Sequence, residues 1–128
     1  MKNLPFGEAE PGATGLELLL SLALRWGQDS GLPLAKTLAR VTVDPVRVLG
    51  DALGTLAGSA GRLVEGGVAD ICLYDPADEW TVTPGVLVSQ GKHTPFAFAS
   101  TGMLLPGRVR ATLVAGTVAF EHMSAPVR

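Results

Sequence analysis

Asp44-Pro45-Val46-Arg47-Val48-Leu49-Gly50 is the stretch on which the fold turns. An Asp side chain accepts from the orphan N–H groups that open a helix. Pro suits the first helical position, because its φ is already helical and no N–H is needed there. Gly50 then stops the helix, since glycine enters the left-handed conformation without a Cβ penalty. Upstream of Gly50 the pattern is helical; downstream it is that of strands and turns. The chain therefore reads as α+β: two or three helices, then a small β-unit.

Working back from Asp44, Pro33 suits the first turn of a helix that runs through about Val41. Before it, Gly15 to Trp26 is apolar almost all round, so this helix expects cover on most sides. Thr14 and Glu17 have capping-box spacing, and Gly27 is the expected stop. Met1 to Ala13 reads as a loop rich in Pro and Gly.

Forward from Gly50, Asp51 to Gly61 is a Gly/Ala-rich connector. Ala69 to Tyr74 is a compact apolar strand, ended by Asp75-Pro76, and Trp80 to Thr83 is a second short strand. Gly85 to Ser89 suggests a helical turn. Arg108 to Val114 alternates, with Val109, Ala111 and Leu113 on one face. Ala115-Gly116 makes a two-residue hairpin turn, and Thr117 to Phe120 returns. The last residues are expected to fray.

Hydrophobic residues make up 47% of the 128 and charged ones 17%, a core-forming composition. Only 5% are aromatic, so the core falls to Leu, Val and Ala. A net charge of -2 without clustered Lys or Arg argues against nucleic acid as a partner. The apolar run Leu16 to Trp26 is too short to span a bilayer and contains Arg25. A cytoplasmic setting is the default for a sequence with no visible signal peptide. The single Cys72 leaves no intrachain disulfide and no multi-Cys metal site.

A hydrolytic zinc site needs about three protein ligands and an open position. Only His93 and His122 are on offer, the first in a loop and the second in the expected frayed tail, so no metal ligand is assigned. Glu8, Glu10 and Glu17 gather near the first helix, where capping and dipole compensation explain them better than acid–base catalysis. Asp70 reads as structural, Cys72 as a buried and inert thiol, and Lys92 and Arg108 as surface charges. No catalytic residue is assigned.

In order along the chain, several short motifs resemble bacterial dihydroorotases, members of the cyclic amidohydrolases. Lys2, Pro5-Phe6, Ala9, Gly12 and Gly15-Leu16-Glu17 are similar to the stretch after the last catalytic strand of that family. Thr42, Pro45 and Val48-Leu49-Gly50 resemble the end of its barrel. Gly61-Arg62-Leu63, Gly66, Ala69-Asp70, Asp75-Pro76 and Trp80 resemble its passage into a small β-domain. Thr94-Pro95-Phe96, Gly107-Arg108-Val109 and Thr112-Leu113-Val114 are similar to the closing strands. Each motif alone is weak; their succession is specific. The segments 51–61 and 97–106 look longer than usual, and His93 stands where Asn is common.

The resemblance implies that residues 1–50 are terminal helices of a (β/α)8 barrel. Residues 51–128 would then be the C-terminal part of a small β-sandwich. It also implies that the zinc ligands and catalytic Asp of the parent lie before residue 1. Dihydroorotate hydrolysis in pyrimidine biosynthesis would be the parent reaction, and this chain alone would be non-catalytic. Pro11 and Gly12 match a pair that meets substrate through its backbone. The alternatives are another cyclic amidohydrolase, an allantoinase or hydantoinase, and a non-catalytic homologue that partners aspartate carbamoyltransferase. Uncovered apolar helix and strand edges imply self-association, most simply as a dimer.

Overall fold

A computed structural model describes residues 5–8, 12–97 and 101–122. Pro11, Glu10, Ala9, Lys2 and the expected frayed end at 123–128 lie outside the described residues. Among the described residues the fold is α+β: three α-helices, α1 (Leu19–Asp29), α2 (Leu34–Ala39) and α3 (Val43–Leu49), precede three strands, β1 (Ile71–Val82), β2 (Met103–Val114) and β3 (Thr117–Glu121). The strands form one antiparallel sheet in the order β1-β2-β3.

The start and end of the first helix differ from expectation. Thr14 and Glu17 form no capping box: Gly15 is the N-cap of a 3-10 turn, Leu16–Leu18, without a side-chain cap. The Glu17 carboxylate is drawn away to a distant loop. Gly27 does not stop the helix but lies buried within α1. A Cβ there would stand 2.1 Å from Thr37 Oγ1 and 2.6 Å from Thr37 Cγ2, so the glycine exists to let α2 approach α1. Pro33 is the N-cap residue of α2, and Gly50, at φ +48, is the C-cap of α3. Asp44 and Pro45 are not the cap and first residue of α3: the helix starts at Val43 after Thr42, and the Asp44 carboxylate pairs with Arg40 and Arg47 instead. The connector is not plain coil; Gly50–Gly58 runs in 3-10 turns kinked at Gly54.

Asp75-Pro76 does not end a strand either. β1 continues through it to Val82, with a register jump between Asp75 and Glu79. Pro is tolerated because β1 is an edge strand, where a missing N–H removes no ladder bond on the outer side. Asp75 Oδ1 accepts from the Ala77 N–H at 2.9 Å and shapes the bulge. β2 starts five residues before the expected Arg108 and pairs Met103 with Val82. Its expected alternation is broken by a second irregularity, opposite Leu73 and Tyr74, where β2 carries the extra residue Arg110. The hairpin at Ala115-Gly116 has φ +49 and +80, the two positive values that a tight hairpin turn requires.

The core comprises Leu18, Trp80, Val82, Leu87 and Leu105, flanked by Leu22, Phe96, Ala97 and Met103. Each fully buried Leu or Val contributes about 1.5–3 kcal/mol. Trp80 is the aromatic centre that composition concealed. Its Nε1–H donates to Ser21 Oγ at 3.1 Å, and Ser21 donates to the Gly107 carbonyl at 3.3 Å. Both polar groups are thereby satisfied inside the α1–β2 interface. Gly107, at φ +81, lets Leu24 lie against the strand; a Cβ would meet Leu24 Cδ1 at 2.2 Å.

Candidate functional site

The segment that leads into α1 is held by the loop between β1 and β2. Thr14 N–H donates to the His93 carbonyl at 2.6 Å. The Glu17 carboxylate accepts from Val88 N–H at 2.8 Å and Ser89 N–H at 3.0 Å. Thr14 Oγ1 sits 2.6 Å from where a Cβ on Gly91 would stand, so only glycine admits this approach. Lys92 donates to the Leu87 carbonyl and braces the same loop, which is more than a plain surface charge does. Thr94 and Leu87 are buried beneath it. Gly15-Leu16-Glu17 and Thr94-Pro95-Phe96, 79 positions apart, thus stand on two segments tied together.

Gly12 sits at the open end of this arrangement. It is exposed, has φ +73, and nothing lies within 4 Å of where its Cβ would be. The conformation is one that L side chains rarely adopt, which suits glycine. Its expected companion, Pro11, lies outside the described residues.

Among the described residues, two clefts bear on this region. The larger, about 830 Å³, lies between the Leu16–Leu18 turn, α1, the 56–63 region and β1. Its walls are apolar, with Leu16, Leu19, Leu56, Leu63 and Val68 among them. Asp70, on its rim, accepts from Ala115 N–H at 2.7 Å and pins the hairpin, the structural role expected of it. Cys72 and Tyr74 also line this cleft. Cys72 is not buried as expected; it is exposed. Desolvation still pushes its thiol up from the ordinary value, partly offset by the hydrogen bond with Thr112. The Tyr74 hydroxyl is pushed up too, by desolvation and then by the Cys72 charge.

The smaller cleft, about 340 Å³, is lined by Ser21, Trp80, Arg108 and His122 among others. The irregular register of β1 places Asp78 between two arginines of β2, 2.7 Å from Arg110 Nη2 and 3.7 Å from Arg108 Nε. Arg108 Nη1 also lies 3.3 Å from His122 Nε2. A guanidinium only donates, so this contact needs a His122 that accepts at Nε2. Arg108 is therefore no free surface charge. His122 is no frayed residue: its N–H donates to the Arg110 carbonyl at 2.7 Å and extends the strand pairing. The Asp78 role went unread because it depends on the β1 bulge.

Among the described residues, no group of three His, Cys, Asp or Glu is placed to hold a metal ion. The described residues therefore do not fit the zinc centre that the resemblance implies for a parent protein. No described helix is long and apolar enough to cross a membrane.

No family model matches the chain. Known proteins do. The chain is 42% identical over 120 residues to a dihydroorotase-like protein of Pseudomonas aeruginosa, covering 94% of this chain and 26% of the relative. A dihydroorotase-like protein of Pseudomonas putida is 42% identical over 117 residues, covering 91% and 25%. A dihydroorotase of Trichlorobacter lovleyi is 35% identical over 120 residues, covering 94% and 26%. Over almost its whole length, the chain is similar to part of proteins named dihydroorotase or dihydroorotase-like, and it spans about a quarter of those relatives' length.

Proposed function

We propose that this chain is the C-terminal part of a dihydroorotase-like cyclic amidohydrolase. In this reading its helices close a (β/α)8 barrel and its strands belong to a small β-sandwich. The parent converts dihydroorotate and water to N-carbamoyl-aspartate in pyrimidine biosynthesis. Zinc belongs to the parent and is held by residues outside this chain, which alone is not catalytic. The observation that carries the reading is the match to dihydroorotases over 94% of the chain. The bonds from Thr14 to His93 and from Val88 and Ser89 to Glu17 support it, since they tie the segment that carries Gly15-Leu16-Glu17 to the loop that leads into Thr94-Pro95-Phe96.

Pro11 and Gly12 are the substrate-facing pair in this proposal, presenting backbone rather than side chain. The test is a chimera in which this chain replaces the 120 matched residues of the Trichlorobacter lovleyi dihydroorotase. The chimera is expected to fold and turn over dihydroorotate. Gly12→Val in it is expected to raise KM about tenfold, the loss of roughly one good hydrogen bond. An unchanged KM in a folded chimera would leave Pro11-Gly12 a plain turn.

A second reading makes the parent a dihydroorotase homologue that serves as structural partner of aspartate carbamoyltransferase. The observation that favours it is a name: the relatives at 42% identity are called dihydroorotase-like, while those called dihydroorotase stand at 34–36%. A parent that co-purifies with aspartate carbamoyltransferase and shows no turnover would establish this reading over the first.

A further inference from the structure

A ligand contact made by backbone has no rotamer to adjust. Its position is the path of the chain, so whatever fixes that path fixes the contact. Gly12 stands two residues before Thr14, a separation of at most about 7 Å along an extended chain. From Thr14 to Leu18 the chain is held repeatedly by one loop, residues 87–93, between β1 and β2. Thr14 N–H donates to the His93 carbonyl at 2.6 Å. The Thr14 side chain lies so close to Gly91 that a Cβ there would stand 2.6 Å from its Oγ1. The two Glu17 oxygens each accept one N–H of the loop, from Val88 at 2.8 Å and from Ser89 at 3.0 Å. Leu18 and Leu87 are then buried in the same core cluster.

The loop itself is braced. Leu87 anchors one end in the core, Thr94 is buried just past the other, and Lys92 Nζ donates back to the Leu87 carbonyl. A connection whose only task was to join β1 to β2 would need none of these bonds to the chain before α1. Their combined effect is to set where the backbone stands two residues after Gly12. A misplacement of about 1 Å at a binding group is enough to cost up to a hundredfold, even when the altered residue is remote from the chemistry.

We propose that the 87–93 loop of the β-unit positions the Gly12 backbone for substrate, with Glu17 as the positioning residue and Thr14 as the pivot. This rests on the reading of Pro11-Gly12 as the substrate-facing pair. In the chimera with the Trichlorobacter lovleyi dihydroorotase, Glu17→Ala is expected to raise KM about tenfold and leave kcat within about twofold. Loss of fold alone would do the reverse, lowering kcat through the active fraction at an unchanged KM. Gly91→Ala presses on Thr14 and leaves both Glu17 bonds in place, so it decides the matter should Glu17→Ala not fold. It is expected to raise KM in the same way, and the double variant Gly91→Ala, Thr14→Ala to restore it. In the 128-residue chain, the Thr14 amide should exchange about tenfold faster in Glu17→Ala, with central β2 amides unchanged. An unchanged KM in folded Glu17→Ala, beside a raised KM in Gly12→Val, overturns the proposal and leaves the proposed function standing. An unchanged KM in Gly12→Val removes the substrate-facing pair and this role together, and so does a folded chimera without turnover. Unaltered Thr14 exchange in Glu17→Ala overturns the positioning whatever the chimera does.

Discussion

Gly27 and Cys72 show how a residue's meaning depends on what stands opposite it. A glycine inside an exposed helix is about 1 kcal/mol worse than alanine. By that rule Gly27→Ala would stabilise α1. The structure reverses the sign, because the new methyl would press into the Thr37 side chain. Overpacking of this kind costs about 1–3 kcal/mol. Urea denaturation is expected to show Gly27→Ala destabilised by about that amount. The double variant Gly27→Ala, Thr37→Ala should recover most of the loss; equal loss in both would place the clash elsewhere. For Cys72, desolvation holds the folded thiol above its ordinary pKa and disfavours thiolate. Its alkylation by iodoacetamide should therefore rise at higher pH in the folded chain than in the urea-unfolded chain. Thr112→Val removes the hydrogen bond that favours thiolate and should move the profile further up. Because the folded value is the higher one, this thiol's stabilising contribution is complete below the unfolded thiol pKa and is lost as pH rises through the folded one.

At the scale of elements, the fold depends on loops reaching across to helices. Glu17 is the clearest case: its spacing from Thr14 spells a capping box, yet its carboxylate serves Val88 and Ser89, 71 and 72 positions away. Hydrogen bonds to a charged acceptor contribute about 1.5–3 kcal/mol each. Glu17→Ala should speed hydrogen exchange at the Val88 and Ser89 amides by about tenfold to a hundredfold. Amides in the middle of β2 should hardly change. Equal acceleration everywhere would mean global destabilisation rather than release of this loop. The strands follow the same logic. Asp75-Pro76 looks like a terminator until β1 proves to be an edge strand, where proline is tolerated and a bulge can form. That bulge then delivers Asp78 to Arg108 and Arg110.

For the whole molecule, the 128-residue chain alone is expected to show no dihydroorotate turnover and to retain no zinc after dialysis. The sequence holds two histidines, and a hydrolytic site needs a third ligand besides. One tightly held zinc per chain, or carbamoyl aspartate cyclisation above a buffer blank, would refute this. The sequence by itself determined the α+β class, a helical first part of two or three helices, the Ala115-Gly116 hairpin and the likeness to dihydroorotases. All of these rest on local signals: the glycine stop at Gly50, the proline at the start of α2, apolar patterning and short ordered motifs. Only the tertiary structure decided that Gly27 lies inside a helix, that β1 runs through a proline and that Glu17 ties two loops. It alone gathered Leu16, Leu19, Leu56, Leu63 and Val68 around one cleft. The physical reason is the same in each case: a side chain's partner is set by packing between segments far apart in sequence, and spacing along the chain carries no record of distance across it.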